Sequence, residues 1–376
     1  MTEPTLFPFG HATADRWSDA AGSVVQQMGP CRSEHRLGFV YVTAPFSEEL
    51  ENISIFLRRT TGVETWVGTV GLGVCATGQE YFQTPAIVAM AVPIDHDGFR
   101  LFGGVREDAE DVGKSNAEWI ARAGMPLVVT HGDPGNRLLP ALIEDLAEET
   151  NGFLVGGLDI GMGPARQLAG KMEQDGLSGV MLSPNAVQVA TGLTQGCTPI
   201  GPVRRITVAE DNVLIEIDER PALDVFVEDI GKDMAEDLNK VAGRIYAGLP
   251  IEGSDVGDYT VRNLIGIDPE NDMIAIGEHV EAGDTVLFCR RDQDSAVEDM
   301  KRMLGDLKRR ANGAPIRGGL YFTCLARGAN QFGPDSAELN MIVDELGSFP
   351  LVGFFGNGEI SHDRLYSYTG VLTLFL

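Results

Sequence analysis

The sequence predicts an α/β protein of two domains, with mixed β-sheets built from repeated β-α-β-β units. Two observations indicate this fold: a strand, helix, strand, strand order occurs three times, and the middle strand of two copies ends in the pattern VGxxGxG. Recurrence of this kind defines an architecture before any single motif does. A length of 376 residues with 43% apolar residues is sufficient for full hydrophobic cores.

Each copy consists of an apolar strand, a helix, a second strand that enters a glycine-rich turn, and a third strand. The strands are short runs of Val, Ile, Leu and aromatic residues bounded by Gly and Pro, which is typical of strands buried on both faces. The predicted segments are Leu37–Thr43, Ser47–Thr60, Glu64–Val74 and Pro85–Val92 in the first copy, Pro126–Gly132, Arg137–Thr150, Gly152–Met162 and Ser178–Ser183 in the second, and Gly319–Cys324, Asp335–Leu346, Phe349–Glu359 and Gly370–Leu376 in the third.

The glycine turns are the predicted binding surface, because repeated glycines mark a backbone that turns sharply or lets another group approach closely. They do not predict a dinucleotide site: Gly71, Gly73 and Gly78 do not form GxGxxG, and a strand at Pro85 follows them instead of a helix. We expect Gly356→Val to unfold its copy if that position needs a positive φ. The matched positions are Val67, Gly68, Gly71 and Gly73 in the first copy and Val352, Gly353, Gly356 and Gly358 in the third, with a looser VGGLDIG in the second.

The domain boundary is predicted at QGCTPIGP (Gln195–Pro202), which is dense in Gly and Pro. Residues 1–195 would hold an amino-terminal helix and two copies. Residues 196–376 would hold a hairpin, further helices and the third copy. The helices predicted there before the third copy include Pro221–Ile230, Lys232–Tyr246 and one capped by Asp294.

Charge and composition exclude several classes of protein. The formal net charge is −26 and no basic cluster exceeds Lys308–Arg310, so phosphate would be repelled and nucleic acid is not an expected partner. The longest apolar run, Pro85–Ile94, is about half of a membrane span, and no basic region followed by an apolar run opens the chain, so we expect a cytoplasmic protein. Five cysteines without CxxC spacing argue against a disulfide framework and a zinc site.

The third copy carries a family resemblance. GLYFTCLARG (Gly319–Gly328), NQFG (Asn330–Gly333) and GFFGNGEI (Gly353–Ile360) resemble the carboxy-terminal half of the FIST family. QGCTPIG resembles the junction where that half begins, and VGTVGLGV with PAIVAMAV resembles the amino-terminal half. The resemblance implies an intracellular sensory module for small ligands. Such modules are frequently fused to signalling outputs, and because this sequence stops at the last strand we expect a standalone sensor that signals through a separate protein.

The predicted ligand site is formed by Cys324, Arg327 and Glu359, with Asn357 in the glycine turn. Strand ends that share one edge of an α/β sheet form the usual crevice for ligands. Arg327 would take the carboxylate of an amino acid or similar zwitterion, and Glu359 its ammonium group. The alternative is that Arg327 and Glu359 pair with each other while Cys324 is a small apolar core residue.

Cys197 in the boundary segment is a further candidate ligand-binding residue, and the alternative is that it packs the linker. We expect Arg327→Ala to abolish stabilisation by the ligand and to leave the fold intact. The sequence determines neither the oligomeric state nor the strand order.

Two other functions stay open as alternatives. A thiol-dependent hydrolase would use Cys324 with a histidine, but CLAR is not the CxxxxxR loop of phosphatases and His131 belongs to another copy, so we expect no enzyme. Some FIST members are haem proteins that sense nitric oxide, and haem would need a histidine on an apolar wall. All six histidines have polar or glycine-flanked sequence contexts and there is no CxxCH, so we expect no cofactor and no metal.

Overall fold

The computed structural model describes residues 5–161, 166–238, 241–251 and 259–376. The chain forms two compact units, the first made of Met1–Thr194 with Met300–Leu376 and the second of Gln195–Asp299. The predicted fold class, α/β with mixed sheets in two domains, is confirmed. The domain boundary between residues 195 and 196 stays a prediction. By compactness, the third copy groups with the first two copies.

Amphipathic helices cover the sheets, and their apolar positions recur at the spacing of one helix face. In the first unit, helix α1 buries Ala20, Ala21 and Val24 against a cluster that includes Val40 and Ile87. The α-helices are α1 (Trp17–Met28), α2 (Leu50–Thr61), α3 (Glu110–Ala123), α4 (Leu139–Thr150), α5 (Ala222–Ile230), α6 (Lys232–Ala235), α7 (Gln293–Ala311) and α8 (Ala337–Leu346).

The strands agree with most predicted segments to within a few residues. In the amino-terminal part they are β1 (Phe9–Thr13), β2 (His35–Thr43), β3 (Thr65–Gly71), β4 (Gly73–Ala76), β5 (Gln79–Phe82), β6 (Ala86–Pro93), β7 (Phe99–Val105), β8 (Leu127–Gly132), β9 (Phe153–Leu158), β10 (Gln167–Ala169), β11 (Met172–Glu173), β12 (Leu177–Leu182) and β13 (Val189–Gln195). The strands that follow are β14 (Cys197–Pro199), β15 (Arg204–Glu210), β16 (Val213–Ile217), β17 (Arg220–Pro221), β18 (Ile245–Pro250), β19 (Tyr259–Asp268), β20 (Met273–Ile276) and β21 (Thr285–Arg291). The third copy supplies β22 (Gly318–Cys324), β23 (Leu351–Gly356), β24 (Glu359–His362), β25 (Arg364–Tyr366) and β26 (Thr369–Phe375).

The first unit contains three six-stranded sheets of the same design. Their strand orders are β1-β6-β2-β3-β10-β11, β7-β12-β8-β9-β24-β25 and β13-β26-β22-β23-β4-β5. In each sheet the two central strands are parallel and come from one copy, and the third strand of that copy flanks them in antiparallel orientation. The repeat in the sequence is therefore a repeat of whole sheets.

Each sheet is completed by a hairpin from another copy. The hairpin β4-β5 of the first copy pairs with β23 of the third, β24-β25 of the third pairs with β9 of the second, and β10-β11 of the second pairs with β3 of the first. The single middle strands predicted over Glu64–Val74 and Phe349–Glu359 are therefore wrong, because each run divides into two strands that belong to different sheets. The end of the second copy's run, from residue 162, lies outside the described residues.

The first glycine of the VG pattern has the same role in all three copies. A Cβ at Gly68, Gly156 or Gly353 would lie 1.6, 1.8 or 1.7 Å from a backbone carbonyl oxygen of the neighbouring parallel strand. No side chain fits at such a distance, so these positions require glycine. At Gly356 the cause is also contact, since its Cβ would lie 2.6 Å from the carbonyl oxygen of Leu158, and the positive φ, +143°, belongs to Gly358.

The central strands of the three copies meet in an aromatic cluster. Tyr41, His131 and Phe322 occupy equivalent strand positions, and their ring centroids lie 5.6 to 6.3 Å apart. Burial lowers the pKa of His131 to about 3. In the sequence His131 is flanked by Thr130 and Gly132, but the strand directs its ring into the core, so the local sequence does not indicate its apolar surroundings.

The second unit is a closed ring of antiparallel strands in the order β21-β15-β16-β20-β19-β18, which β18 closes by pairing with β21. Helix α5 buries Phe226 against Phe288, with ring centroids 4.8 Å apart. The predicted helix Lys232–Tyr246 is wrong beyond α6, because Ile245 begins strand β18. The predicted cap of α7 is also wrong, since the backbone N–H of Ser295 donates to Asp292 and not to Asp294.

Candidate functional site

The predicted site lies in the first unit, at the end of β22 and in the loop that follows. Cys324 is the last residue of β22 and pairs in register with Gly356 of β23. The backbone N–H of Arg327 donates to the carbonyl of Cys324 at 2.9 Å, and that of Leu325 donates to the carbonyl of Gly356 at the same distance. These bonds fold the loop back over the sheet edge.

Arg327 is fully buried, and its ion-pair partner is Glu338 of helix α8. The Nε of Arg327 donates to Oε1 of Glu338 at 2.7 Å, and both side chains have no exposed surface. The guanidinium carbon also lies 4.9 Å from the centroid of the Phe332 ring. The alternative that Arg327 pairs with Glu359 is therefore wrong: α8 brings a carboxylate closer than the turn does.

Glu338 holds several groups besides the guanidinium. Its Oε1 accepts hydrogen bonds from the Tyr321 hydroxyl at 2.6 Å and the Thr323 hydroxyl at 3.3 Å, and its Oε2 accepts from the backbone N–H of Gly328 at 2.9 Å. Burial by itself lowers the pKa of Arg327, but the Glu338 carboxylate outweighs it, so the pKa lies above its ordinary value. The guanidinium of Arg327 is therefore charged.

Glu359 is the first residue of β24 and is also fully buried. Its Oε2 accepts hydrogen bonds from the backbone N–H of Thr369 at 3.1 Å and from its hydroxyl at 2.8 Å. Burial raises the pKa of this carboxyl to about 8, although Thr369 and the charge of Arg327 oppose the shift. At neutral pH the carboxyl is therefore mostly protonated.

Two buried polar atoms of this group have no hydrogen-bond partner among the described residues. One is Nη1 of Arg327, a donor, and the other is Oε1 of Glu359. Buried polar groups are nearly always paired, and an unpaired one costs about 1 to 3 kcal/mol. The arrangement therefore has unused capacity for a molecule that carries both an acceptor and a donor.

Cys324 lies close enough to both charged groups for them to affect its thiol. Burial, followed by the Glu359 carboxyl, raises the pKa of the thiol to about 12, and Arg327 opposes this only weakly. The thiol is therefore protonated at neutral pH, which is unfavourable for nucleophilic catalysis.

The other two predicted residues lie elsewhere. Asn357 is exposed in the turn between β23 and β24. Cys197 belongs to the second unit, where it begins β14. The structure thus brings together Cys324, Arg327 and Glu359.

Sequence reasoning missed Glu338, Thr369 and Glu80. Glu338 had a detectable signal, because it lies four residues before Ile342 on the apolar face of α8, and a carboxylate there needs a buried partner. Glu80 comes from the hairpin of the first copy, and its pKa is raised to about 7 by burial and by Glu338. Nothing in the sequence around Glu80 indicates a neighbour more than 200 residues away.

The described residues contain neither a candidate metal site nor a helix that could span a membrane. Within residues 5–161, 166–238, 241–251 and 259–376, no group of three or more His, Cys, Asp or Glu side chains is placed to hold a metal ion. In the same ranges, no helix combines the length and the apolar composition of a membrane span.

Comparison with known families agrees with the resemblance. Residues 36–220 match the FIST N domain and residues 222–362 match the FIST C domain. The chain belongs to the FIST domain family. FIST domains are associated with sensory ligand binding in signalling.

Several mycobacterial proteins are similar to this chain. It is 36% identical over 256 residues to two proteins of Mycobacterium tuberculosis, named Uncharacterized protein MT0656 and Uncharacterized protein Rv0628c, and the match covers 65% of this chain and 65% of each relative. It is 31% identical over 192 residues to Uncharacterized protein Mb0898c of Mycobacterium bovis, covering 49% of this chain and 50% of that protein. The chain therefore matches less than two thirds of the length of these relatives.

Proposed function

We propose that this protein is a sensor that binds an amino acid or a similar small zwitterion at the group formed by Cys324, Arg327 and Glu359. The observation that carries the proposal is the presence of two buried, unpartnered atoms, Nη1 of Arg327 and Oε1 of Glu359, in side chains close enough to affect each other's charge. A guanidinium that already holds one carboxylate through Nε can still donate from Nη1 to a ligand carboxylate.

Glu359 would receive the ammonium group of the ligand. Because its pKa is about 8, the carboxyl gives up its proton when a cation binds. Binding is therefore linked to the release of one proton. Below this pKa, we expect the affinity for an ammonium-bearing ligand to increase by up to about tenfold for each unit by which the pH is raised.

Burial of the site suggests how binding becomes a signal. Arg327 and Glu359 have no exposed surface, so a ligand must reach them through an opened state of the loop or the turn. A ligand that binds only that state shifts the population toward it. A separate signalling protein that recognises the opened state would read the shift, and a cytoplasmic location belongs to the same proposal.

The test is a thermal-shift screen of free amino acids, followed by calorimetry at pH 6 and pH 7 on any that stabilise the protein. We expect stabilisation by the zwitterion and none by analogues that lack either the carboxylate or the amine. The affinity should be about tenfold higher at pH 7. If an analogue that has the carboxylate but lacks the amine stabilised the protein equally at both pH values, Glu359 would not be part of the binding site.

The variant for this test is Glu359→Gln, which keeps the size and an acceptor for Thr369. It should lose the proton linkage and most of the affinity. Asp159→Asn is a matched control, because Asp159 is another buried carboxyl of the first unit with an unpartnered oxygen. Arg327→Ala, the variant that the sequence suggested for testing ligand-induced stabilisation, is unsuitable because it would leave Glu338 buried without its cation.

The two alternatives have less support. The high pKa of the Cys324 thiol disfavours a thiol hydrolase, and we propose that the protein is not an enzyme. For haem, His131 is the histidine with apolar surroundings, but its ring packs between Tyr41 and Phe322 in the core. An absorption spectrum of the purified protein tests this alternative, because bound haem would give a Soret band.

A further inference from the structure

Two cysteines of the second unit lie on neighbouring strands. Cys197 begins β14 and Cys289 lies in β21, and the antiparallel register pairs Cys197 with Arg291 and Pro199 with Cys289. Because successive side chains alternate between the faces of a strand, Cys197 and Cys289 point to the same face and are diagonal neighbours. The remaining cysteines, Cys31, Cys75 and Cys324, belong to the first unit.

The two thiols are close enough to affect each other's ionisation. The Cys289 thiol donates to the carbonyl of Tyr246 at 3.6 Å. Both cysteines are buried, Cys289 completely and Cys197 with 6% of its surface exposed. The two thiols are therefore buried neighbours on adjacent strands, on the same face.

We propose that Cys197 and Cys289 are a redox pair that forms a reversible disulfide between β14 and β21. The oxidant is a small-molecule disulfide such as glutathione disulfide. The thiolate of Cys197 attacks one sulfur of the oxidant and releases one thiol. The sulfur of Cys289, after losing its proton, then attacks the mixed disulfide on Cys197 and releases the second thiol. The protein loses two protons and two electrons, and the oxidant gains both.

Cys197 reacts before Cys289 because the two cysteines differ in exposure and in the pKa of the thiol. Cys197 has the exposed surface and lies in a strand of three residues, so it meets the oxidant first. Cys289 is fully buried, and its interaction with the neighbouring Cys197 thiol, followed by burial, raises its pKa far above the ordinary value. It therefore stays protonated until the mixed disulfide brings a leaving group next to it.

Oxidation should also move β14. The Cα atoms of diagonal neighbours lie about 7 to 8 Å apart, whereas a disulfide usually spans about 4.4 to 6.8 Å. Strand β14 stands at the end of its sheet order, next to β21, so it can shift toward β21 by about an ångström without breaking the closed ring. Redox state would thus set the position of the first strand of the second unit.

The experiment treats the native full-length protein with glutathione disulfide, quenches it with an alkylating reagent in denaturant, and counts the blocked thiols. We expect the five free cysteines to fall to three, a peptide that links residues 197 and 289, and full recovery after dithiothreitol. The melting transition of the second unit should rise by at least about 4 °C on oxidation.

The controls separate this pair from the other thiols. Cys197→Ser and Cys289→Ser should each end with four free thiols, or with a glutathione adduct on the remaining cysteine. Cys75→Ser removes a buried thiol of the first unit, and on oxidation this variant should still lose two free thiols. Five free thiols after prolonged treatment, or a linked peptide from any other pair, would overturn the proposal. Circular dichroism of each variant shows whether it is folded.

Discussion

The second and third copies of the repeat have the same backbone but opposite chemistry where their central strands end. In the third copy, Cys324 and Gly356 stand side by side and the loop beyond them buries a guanidinium. In the second copy the equivalent positions are Asp133 and Asp159, and burial followed by the charge of Asp133 raises the pKa of Asp159 to about 6, against the opposing hydrogen bond from Gly161. The repeat therefore preserves the backbone, and each copy acquires its own side chains at the edge.

The first copy shows a third outcome. Its equivalent residue, Thr43, donates to the carbonyl of Thr84 at 2.7 Å and accepts from the backbone N–H of Ala86 at 2.9 Å. These bonds use its donor and one acceptor site, so its hydroxyl is already paired within the protein. In the third copy, buried Arg327 and buried Glu359 lie near the end of the central strand. This is the copy proposed to bind a zwitterion.

The largest effect should come from the shared backbone. Gly353→Ala in the third copy and Gly156→Ala in the second each place a Cβ less than 2 Å from a carbonyl oxygen. We expect both variants to lose more than about 4 kcal/mol of unfolding free energy or to be insoluble. Gly22→Ala in α1 is the control, because its Cβ would meet no atom within 4 Å and alanine favours helix. Equal denaturation midpoints for Gly353→Ala and Gly22→Ala would contradict the structure.

The next effect should separate the two edges. Glu338→Gln leaves the Arg327 guanidinium buried without its anion, and we expect it to cost about 3 to 5 kcal/mol. Asp159→Asn removes a buried carboxyl that forms no ion pair with any described residue, and it should be neutral or stabilising at pH 7. Urea denaturation measures both, and a costly Asp159→Asn with a harmless Glu338→Gln would reverse the comparison.

The pH dependence of stability distinguishes the carboxyls. A carboxyl with a raised pKa takes up a proton on folding, so its contribution to stability falls as the pH rises from the ordinary pKa to the raised one. For Glu359 this window runs from 4.5 to about 8, and for Asp159 from 3.8 to about 6. His131 acts oppositely, adding stability as the pH rises from about 3 to 6.5.

Between pH 6.5 and 8, therefore, Glu359 should contribute a fall in melting temperature, with Glu80 adding to it near pH 7. Glu359→Gln should flatten this fall and Asp159→Asn should leave it unchanged. The measurement is the melting temperature of the native protein and of both variants between pH 6.5 and 8. An unchanged slope in Glu359→Gln would mean that Glu359 is ionised in the folded protein.

The smallest effect should come from Cys324→Ser. A hydroxyl replaces a thiol of similar size, and the equivalent position in the first copy is already a hydroxyl residue, Thr43. We expect a change of less than about 1 kcal/mol in unfolding free energy and unchanged binding of the zwitterion. Loss of ligand-induced stabilisation in this variant would give Cys324 a direct role in the site.

The repeat, the succession of strands and helices along the chain, and the helix faces were accessible from the sequence, because they depend on local apolar periodicity and on turn residues. Prediction was wrong where neighbours decided the structure. The segment around Tyr246 was predicted as helix, but pairing with β19 and β21 makes it a strand. The site was only partly predictable: Cys324, Arg327 and Glu359 lie close enough to affect one another's charge, but Glu359 begins a strand of a different sheet from Cys324. Glu338, the ion-pair partner of Arg327, comes from a separate helix.

By itself, the sequence determined that three similar units exist, that their turns need glycine, and which residues stand at the strand ends. Only the tertiary structure decided that each unit lends its hairpin to another unit's sheet, that Arg327 is paired with Glu338, and that Glu359 is buried with a raised pKa. Propensity and periodicity act over a few residues. Strand exchange, burial and the pairing of charges depend instead on groups far apart in the chain, which come together only when it folds.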